Sequence, residues 1–594
     1  MILKKYMLLF KCLIFLSNLL SCEQFQIELE WMETKMSMND LENLFKFVGG
    51  LGMFLYGMNI MADGLQKSAG EKMKNLLGIL TNNRFLAIIV GALVTAVIQS
   101  SSATTVMVVG FVNAGILNLG QAVGVIMGAN IGTTVTAWLV SLNGMGDAMA
   151  VLKPEFFAPL LIGIGAFIML FAKKDSKKQA AEILIGFGIL FIGLSFMSGS
   201  IKPYSDSKIF YDIFATLGKN PILGILAGLA VTALIQSSSA SVGILQTLAV
   251  TGRVNWSSAI FITLGQNIGT CVTALISSAG AHKTAKRAAV IHLLFNVFGA
   301  VLFAIIGIIL FTVNREFANS SITTVQISIF HTIFNVTNTL IMFPFANGLV
   351  KASSLIIKDE KEEEKPETQE HALARHLDDR ILESPTFAIQ AAIKEIIHMG
   401  EMAYENVTLA CEAVKERDSE KIKKIYETET VINSMEKGIT EYLVKVDNLS
   451  LNEKQHHQVS NLFYTVSDIE RVGDHAENIA DMAKFLIKND VSFSAKAQVE
   501  LDKLTELVKD NFKLSVTCRN KNDMELVDEV KDNEKAVDKM EKKYRKRHIE
   551  RLANKSCKPE AGVIFLDIIS NLERISDHAL NIVEYVENEI TSAK

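Results

Sequence analysis

Two short polar motifs stand inside apolar sequence and carry the residue types of an ion-binding site. Gln99–Ala103 reads QSSSA, and Gln236–Ala240 repeats it 137 residues later. Serine hydroxyls can donate hydrogen bonds to a tetrahedral oxyanion, and each offers a lone pair to a hard cation. Neither motif contains Lys or Arg. An anion at these motifs would therefore be held by helix dipoles, hydroxyls and a co-bound cation.

A second pair of motifs follows at the same offset. Gly128–Thr133 reads GANIGT and Gly265–Thr270 reads GQNIGT, and these residues add neutral oxygens. Small polar residues often serve close helix packing instead, but two motifs at one constant offset favour a site. The predicted ion-binding residues are Gln99, Ser100, Ser101, Ser102, Thr104, Asn130, Thr133, Gln236, Ser237, Ser238, Ser239, Asn267 and Thr270.

The elements that hold these motifs belong to a membrane-embedded half of the chain. The 594 residues have a mean hydropathy of +0.28, yet only 30 charged residues lie within 40–355 against 85 within 356–594. The first density is typical of membrane protein and the second of a solvated helical domain. The net charge of −5 offers no basic footprint, which argues against a nucleic-acid partner.

The membrane half (40–350) is predicted to hold two re-entrant hairpins, 85–115 and 222–251, because polar, glycine-rich backbone at membrane depth must be buried in protein or line a wet cavity. The predicted full spans are 43–62, 119–142, 154–172, 180–200, 256–279, 290–313 and 324–348. Repeat 1 then covers about 43–172 and repeat 2 about 180–313, and the span at 324–348 is extra.

Basic clusters orient this arrangement. The positive-inside rule places three basic segments in the cytoplasm: Lys67–Arg84, Lys173–Lys178 and Lys283–Arg287. The C-terminal half then lies on the cytoplasmic side as well. The two hairpins then enter from opposite sides, so the repeats are inverted. Inverted repeats with broken helices are the construction of a secondary transporter.

The two ends of the membrane half carry separate signals. Residues 1–22 hold three lysines, an apolar stretch and Leu-Leu-Ser-Cys, which fits a bacterial lipoprotein signal peptide, although Met36 or Met38 is an alternative start. Residues 356–378 form a charged segment typical of a flexible linker.

The paired motifs resemble the sodium-dependent phosphate cotransporter family, in both its bacterial members and the animal type II carriers. Gly52–Met58, GMFLYGM, is similar to the usual first span of bacterial members. The resemblance implies that Gln99–Ser102 and Gln236–Ser239 bind phosphate and sodium between the repeats. The second copy departs at Ser241, where the first has Thr104, so which half holds which ion stays open.

A further short pattern recurs within the membrane half. His292 and His331 each begin the sequence HxxFN, 39 residues apart. Intramembrane histidines are candidate functional residues, but a packing role explains so short a pattern equally well.

The C-terminal half (380–594) is predicted to form two three-helix bundles, because Asp468–Asn478 recurs as Asn571–Asn581 at an offset of 103. Spacing of four residues places two carboxylates on one helix face in each copy, where they repel unless a cation or an arginine lies between them. This pattern predicts a multinuclear metal site. The predicted ligands are Glu470, Asp474, Glu573 and Asp577.

The alternative is a solvated face neutralised by Arg471 and Arg574. The pattern ERxxDHxxN resembles PhoU-like domains, which implies a metal-binding regulatory module of phosphate uptake. The ligand set favours a divalent or iron-type metal. His475 and His578 lie beside the carboxylate faces and are weaker candidates. A homo-oligomer or a regulatory protein partner would act through this half.

The combined interpretation is an all-α polytopic membrane protein of the bacterial cytoplasmic membrane, with a cytoplasmic PhoU-like domain, that couples phosphate symport to sodium. Phosphate entry is opposed by ~2.3 kcal/mol per charge per 100 mV, and no Walker sequence indicates ATP as the driver. No nucleophile–base pair indicates an enzyme. The alternatives are phosphate export and a membrane-anchored phosphate sensor that reports occupancy without flux.

Overall fold

The computed structural model describes residues 38–78, 83–142, 154–205, 207–358, 377–554 and 556–591. Within these ranges the chain is all-α, with short 3₁₀ turns and no β-strand. The predicted signal peptide (1–22) lies outside the described residues, as does most of the predicted linker (356–378). The main division between two compact units falls between residues 359 and 360.

The helices of the N-terminal unit are short in each predicted hairpin and long in most of the predicted spans. They are α1 Met38–Gly78, α2 Arg84–Ile98, α3 Ser101–Asn113, α4 Leu119–Ser141, α5 Pro154–Phe171, α6 Asp175–Ile201, α7 Lys208–Lys219, α8 Pro221–Ile235, α9 Ser238–Ala249, α10 Trp256–Gly269, α11 Cys271–Ser277, α12 Lys283–Val313, α13 Arg315–Asn319, α14 Thr324–Met342 and α15 Ala346–Ile356.

The offset of 137 residues recurs in the helix boundaries. Helices α2 and α8 start and end at equivalent positions, and the starts of α1, α3 and α4 match those of α6, α9 and α10. Asn83 and Asn220 cap α2 and α8 through their side chains, and Asn118 and Asn255 cap α4 and α10. The sequence repeat is therefore also a structural repeat, because the helix boundaries and N-cap residues recur at the same offset as the two motifs.

The equivalent helices α1 and α6 cross through glycines. A Cβ atom built on Gly50 would lie 2.7 Å from the carbonyl oxygen of Gly193, and one built on Gly57 would lie 2.6 Å from that of Gly186. The contacts advance along α1 while they retreat along α6, so the two helices are antiparallel. Because they occupy the same place in each repeat, the repeats are inverted, as predicted.

Each QSSSA motif lies at the tip of a hairpin. Helices α2 and α4 run parallel, because Ile88 and Ala92 of α2 contact Gly128 and Gly132 of α4 in register. The chain must therefore return between them, which α3 does. Helix α2 has 15 residues and α3 has 13, or about 20 Å each at 1.5 Å per residue, short of a 30 Å hydrocarbon core. The equivalent helices α8 and α9 have 15 and 12 residues.

Five described helices are long and apolar enough to cross a membrane by length and composition, or seven if two bent helix pairs each count as one span. The five segments are Met38–Ala69, Leu119–Ser141, Asp175–Tyr204, Trp256–Ser277 and Lys283–Val313. The predicted span at 324–348 is α14 followed by α15, bent by 84°. The first predicted span (43–62) lies within α1, which continues as a helix through the basic segment to Gly78.

Within residues 377–554 and 556–591 the C-terminal unit has six long helices. They are α16 Pro385–Glu416, α17 Ser419–Asp447, α18 Glu453–Lys488, α19 Ala495–Lys521, α20 Met524–Ala553 and α21 Pro559–Thr591. Helices α16, α17 and α18 pack on one another, as do α19, α20 and α21, and α18 also packs against α21. Buried aliphatic residues of both three-helix groups merge into one core. The motif helices α18 and α21 thus lie side by side.

Candidate functional site

Each QSSSA motif interrupts its hairpin at the glutamine. Gln99 ends α2 and Gln236 ends α8, both in the left-handed backbone region with φ 57°. Their N–H groups still bond the carbonyls of Thr95 and Thr232, at 2.8 and 2.7 Å, and close the last turn. A side-chain-bearing residue in this conformation costs roughly 1–2 kcal/mol. The surrounding packing must therefore hold the break in both copies.

A hydroxyl pair holds the two arms of each hairpin together. Thr95 Oγ1 donates to Thr104 Oγ1 at 3.0 Å, and Thr232 Oγ1 donates to Ser241 Oγ at 2.8 Å. Ser241 therefore preserves the contact of Thr104 although the residue type differs. Because Thr104 Oγ1 also donates to the Ser100 carbonyl, the Thr104 hydroxyl is committed within its own hairpin.

The two hairpin tips meet. Ser101 Oγ and Ser238 Oγ, which are equivalent atoms of the two repeats, are 3.3 Å apart in a hydrogen bond. Ser101 begins α3 and Ser238 begins α9, so two helix N-termini converge on this contact. The first amides of a helix have no acceptor within it and carry the positive end of the dipole. The geometry therefore concentrates hydrogen-bond donors where the repeats join.

The serines of the motifs differ in what their hydroxyls do. Ser100 and Ser237 accept the N–H groups of Ala103 and Ala240 and so cap the new helices. Ser102 is buried, and its Oγ has no hydrogen-bond partner. The hydroxyl of a buried serine is costly to leave unpaired, so Ser102 Oγ is available to a ligand at the hairpin tip. Its equivalent, Ser239, is also buried.

The two glutamines break the symmetry. Gln99 is buried, and its Oε1 accepts a hydrogen bond from Thr136 Oγ1 at 2.9 Å while its Nε2 donates to the Ala96 carbonyl. Gln236 is exposed. The glutamine side chain is thus buried and hydrogen-bonded in the first repeat but exposed in the second. The identical motif sequences do not indicate this difference.

The second motifs lie in buried stretches of α4 and α10. Asn130 and Asn267 each donate through Nδ2 to the carbonyl four residues earlier, at 2.8 and 2.9 Å. Thr133 Oγ1 donates to the Ala129 carbonyl, whereas Thr270 Oγ1 donates to the Asn267 carbonyl. These bonds satisfy the donors and leave acceptor oxygens, which suits a cation better than an anion.

Sequence reasoning missed Gln246 on α9. Its Nε2 lies within hydrogen-bond distance of Ser328 Oγ and of the carbonyls of Ala137 and Thr324, at 2.8–3.1 Å. It thereby connects the second hairpin to α4 and α14. A lone glutamine six residues beyond a motif gives no periodic signal, and its partners lie 78 to 109 residues away in sequence.

The predicted carboxylates of the C-terminal unit fall into two groups rather than one shared cluster. Asp577 lies with Glu534 and Asp538 of α20, with ligand oxygens of all three within 4.8 Å of one another. Burial raises the pKa of Asp577 and of Glu534, and Asp538 raises both further. Glu534 and Asp538 were not predicted, although they lie four residues apart on one helix.

The first copy centres on Glu429 of α17. Its carboxylate is 2 % exposed, and neither oxygen has a hydrogen-bond partner. Burial raises the pKa of Glu429 to about 8, with further contributions from Asp474, Glu477 and Glu470. Residue 473 is glycine where a Cβ atom would lie 2.5 Å from Glu429 Oε2. A buried acid surrounded by acids is the arrangement that a metal ion would relieve.

The two arginines also contact these faces. Arg471 lies 3.1 Å from Asp474, and Arg574 lies 3.4 Å from Asp577. The motif histidines point elsewhere: His578 Nδ1 lies 2.6 Å from Asp468 at the interface between α18 and α21. His475 makes the matching contact with Asn571.

The N-terminal unit thus has inverted repeats whose re-entrant hairpins meet at buried hydroxyls, which defines a membrane protein of the secondary-transporter type. Residues 53–199 and 203–334 match the Na⁺/Pi-cotransporter family, and the C-terminal half matches the PhoU domain over 396–483 and 501–586. The family is one of transporters and not of enzymes.

Relatives match most of this chain or only a short part of it. A protein of Escherichia coli strain K12, provisionally named inorganic phosphate export protein YjbB, is 24 % identical over 90 % of this chain and 95 % of its own. Human sodium-dependent phosphate transport protein 2B is 36 % identical over 18 % of this chain and 15 % of its own. The crystal structure of PhoU from Pseudomonas aeruginosa is 23 % identical, with a TM-score of 0.33 over 34 % of this chain and 98 % of that one.

Proposed function

We propose that this protein carries inorganic phosphate across the bacterial cytoplasmic membrane in a sodium-coupled reaction. The observation that carries the proposal is the meeting of Ser101 and Ser238 at 3.3 Å, where two helix N-termini converge. Helix N-termini and serine hydroxyls together suit a tetrahedral oxyanion. Gln99, Ser100, Ser102, Gln236, Ser237 and Ser239 surround this contact in sequence.

Sodium would supply the positive charge that the motifs lack. Neutral oxygens are offered by Asn130 and Thr133 on α4, by Asn267 on α10, and by Thr270 at the end of α10. Thr104 would act by holding its hairpin closed rather than as a ligand. A cation bound beside the anion lowers the cost of bringing phosphate out of water. Because the motifs contain no lysine or arginine, phosphate can leave the site without separating from a fixed positive charge.

Export is a second candidate direction, favoured by the E. coli relative that matches both halves of the chain. An inside-negative potential helps phosphate leave by ~2.3 kcal/mol per charge per 100 mV. Import instead needs the inward sodium gradient. A carrier fold can run in either direction, so the gradients decide.

Radiolabelled phosphate flux in membrane vesicles of both orientations tests the proposal. Uptake into right-side-out vesicles that requires an inward sodium gradient would establish import by symport. Uptake into inside-out vesicles without a sodium gradient that favours it would establish export. Phosphate binding without flux in either orientation would identify a sensor and contradict the transport proposal. If phosphate flux is unchanged when choline replaces sodium, transport is not coupled to sodium.

We further propose that the C-terminal unit is cytoplasmic and binds divalent or iron-type metal at two places. Asp577 would be a ligand together with Glu534 and Asp538. Asp474 and Glu470 would be ligands with Glu429, whose oxygens have no other partner. Glu573 lies on the same helix face as Asp577, where Arg574 also contacts it. Metal binding would connect this unit to a regulatory partner or to a second copy of the chain.

A further inference from the structure

A band of buried polar residues joins α12 to α14 outside the serine motifs. His292 and Asn296 lie on α12, and His331, Asn335 and Asn338 lie on α14. All five are at most 2 % exposed. Polar side chains at membrane depth are costly and mark functional positions. The amides of Asn296, Asn335 and Asn338 form a group that we name the asparagine node.

The hydrogen bonds of the node fix each amide with its oxygen free. Asn296 and Asn335 donate through Nδ2 to the carbonyl four residues earlier, at 3.1 and 2.9 Å. Asn338 donates across the helix pair to the Phe295 carbonyl at 3.0 Å. The Oδ1 atoms of all three have no partner. Turning an amide over would place its oxygen against a carbonyl oxygen, so the hydrogen bonds fix these orientations and leave the three Oδ1 atoms as unpaired acceptors.

The packing of α12 against α14 keeps the node in one interface. A Cβ atom built on Gly299 would lie 2.8 Å from Asn338 Oδ1, so only glycine leaves room for that amide. Asn296 lies three residues before Gly299 on α12, and Asn335 lies three before Asn338 on α14. Side chains at this spacing share a helix face.

The node is tied to the second repeat through a histidine. His331 Nε2 lies 3.4 Å from Asn267 Oδ1. Asn267 Nδ2 donates to the Thr263 carbonyl at 2.9 Å, so its oxygen faces the ring and Nε2 is the donor. His331 also provides the carbonyl that Asn335 bonds. A change at the node therefore reaches Asn267, a residue of the proposed ion-binding site.

We infer that the asparagine node is a binding site for a sodium ion, separate from the serine motifs. A cation satisfies several carbonyl-type oxygens at once, whereas a water has only two hydrogens to donate. The node carries no charged side chain, which favours a monovalent over a divalent ion because a divalent ion needs compensating charge. This inference rests on the proposed sodium coupling, for which it supplies a ligand set.

Sodium binding to the purified full-length protein tests the site. Radioactive sodium is counted per chain at saturation, and the melting temperature is followed in sodium against choline and potassium chloride at equal ionic strength. Asn335→Leu and Asn296→Leu each remove an oxygen at similar volume, and we expect each variant to bind one sodium ion fewer than the wild type. Ser353→Ala is the control, because its buried hydroxyl donates to the Val350 carbonyl within its own helix, and we expect it to keep the wild-type sodium count.

Asn335→Asp separates a sodium ligand from a packing residue. A buried carboxylate at this position needs a cation, so we expect sodium to raise the melting temperature of this variant more than that of the wild type. A wild-type sodium count in both leucine variants, or no sodium effect on the aspartate variant, would overturn the inference. An equal effect of potassium would overturn the assignment to sodium. If the wild-type protein binds sodium at the node but shows no phosphate flux, the proposed function is wrong and the sodium site is still supported.

Discussion

Ser101 and Ser238 are the same residue of two inverted repeats, and their hydroxyl oxygens lie 3.3 Å apart. Each begins a helix after a left-handed glutamine. The pseudo-two-fold relation between the repeats therefore brings equivalent atoms into contact. A ligand between them would be approached by matching donors from both halves.

Replacing Ser101 or Ser238 by alanine removes one hydroxyl from this contact. We expect phosphate to bind more weakly by about 1–3 kcal/mol, or roughly 5- to 150-fold in Kd, because lipid and protein offer no substitute donor. Equilibrium binding of labelled phosphate measures the change. Ser200→Ala is the control, since its buried hydroxyl bonds only within its own helix. Unchanged phosphate binding in both motif variants would contradict the proposed site.

Alanine at Gly228 should destabilise the membrane unit. Its Cβ would lie well inside van der Waals contact of the Ile262 carbonyl oxygen, where α8 crosses α10. Overpacking of this kind costs about 1–3 kcal/mol, and we expect a lower melting temperature in detergent. Gly199→Ala is the control, because nothing lies within 4 Å of its Cβ position. Equal melting of both variants would show that the crossing is not tight.

Accessibility of single cysteines tests the inverted topology. We expect Ser176→Cys, beside the basic residues Lys173–Lys178, to react with an impermeant thiol reagent only from the cytoplasmic side. Ser205→Cys, after α6, should react only from outside. Labelling of the protein without the introduced cysteine is subtracted as background, because the chain has native cysteines. Reaction of both from one side would refute the orientation.

Removal of metal should loosen α17, α18, α20 and α21. Without a cation Glu429 repels Asp474 and Glu534 repels Asp577, or these carboxylates take up protons. A ligand at a hundredfold excess over its Kd stabilises the folded state by about 2.7 kcal/mol. We expect chelator to increase amide hydrogen exchange in these helices of the full-length protein. The Asp474→Asn, Asp577→Asn double variant should exchange alike with and without chelator. Absence of bound metal by elemental analysis would favour the arginine-paired faces.

A buried histidine of the C-terminal unit predicts acid sensitivity. Burial and then Arg551 lower the pKa of His548 to about 4, below the value near 6.5 of an exposed histidine. The unfolded state therefore binds more protons than the folded state between these values, so stability falls as pH drops from about 6.5 to 4. His548→Gln, which keeps an acceptor for Arg551, should reduce this loss. Chemical denaturation at several pH values measures it.

The sequence alone predicted the repeat because one offset of 137 governs motifs, caps and helix starts alike. It could not reveal that Gln99 is locked while Gln236 is open, since that difference depends on tertiary neighbours such as Thr136. The sequence did not reveal the full length of α1, because the charges at Lys67, Lys72 and Lys74 indicate a loop although these residues continue the helix. Glu534 was missed because its partner Asp577 lies on another helix.

The antiparallel contact between the equivalent helices α1 and α6 has the form of an isologous dimer interface, in which one surface meets its own copy. A half-length chain inserted in both orientations could bury the same surface against a second molecule of itself. Joining the halves in one polypeptide makes the association independent of concentration. It also allows equivalent positions to take different residues, which two identical subunits could never do.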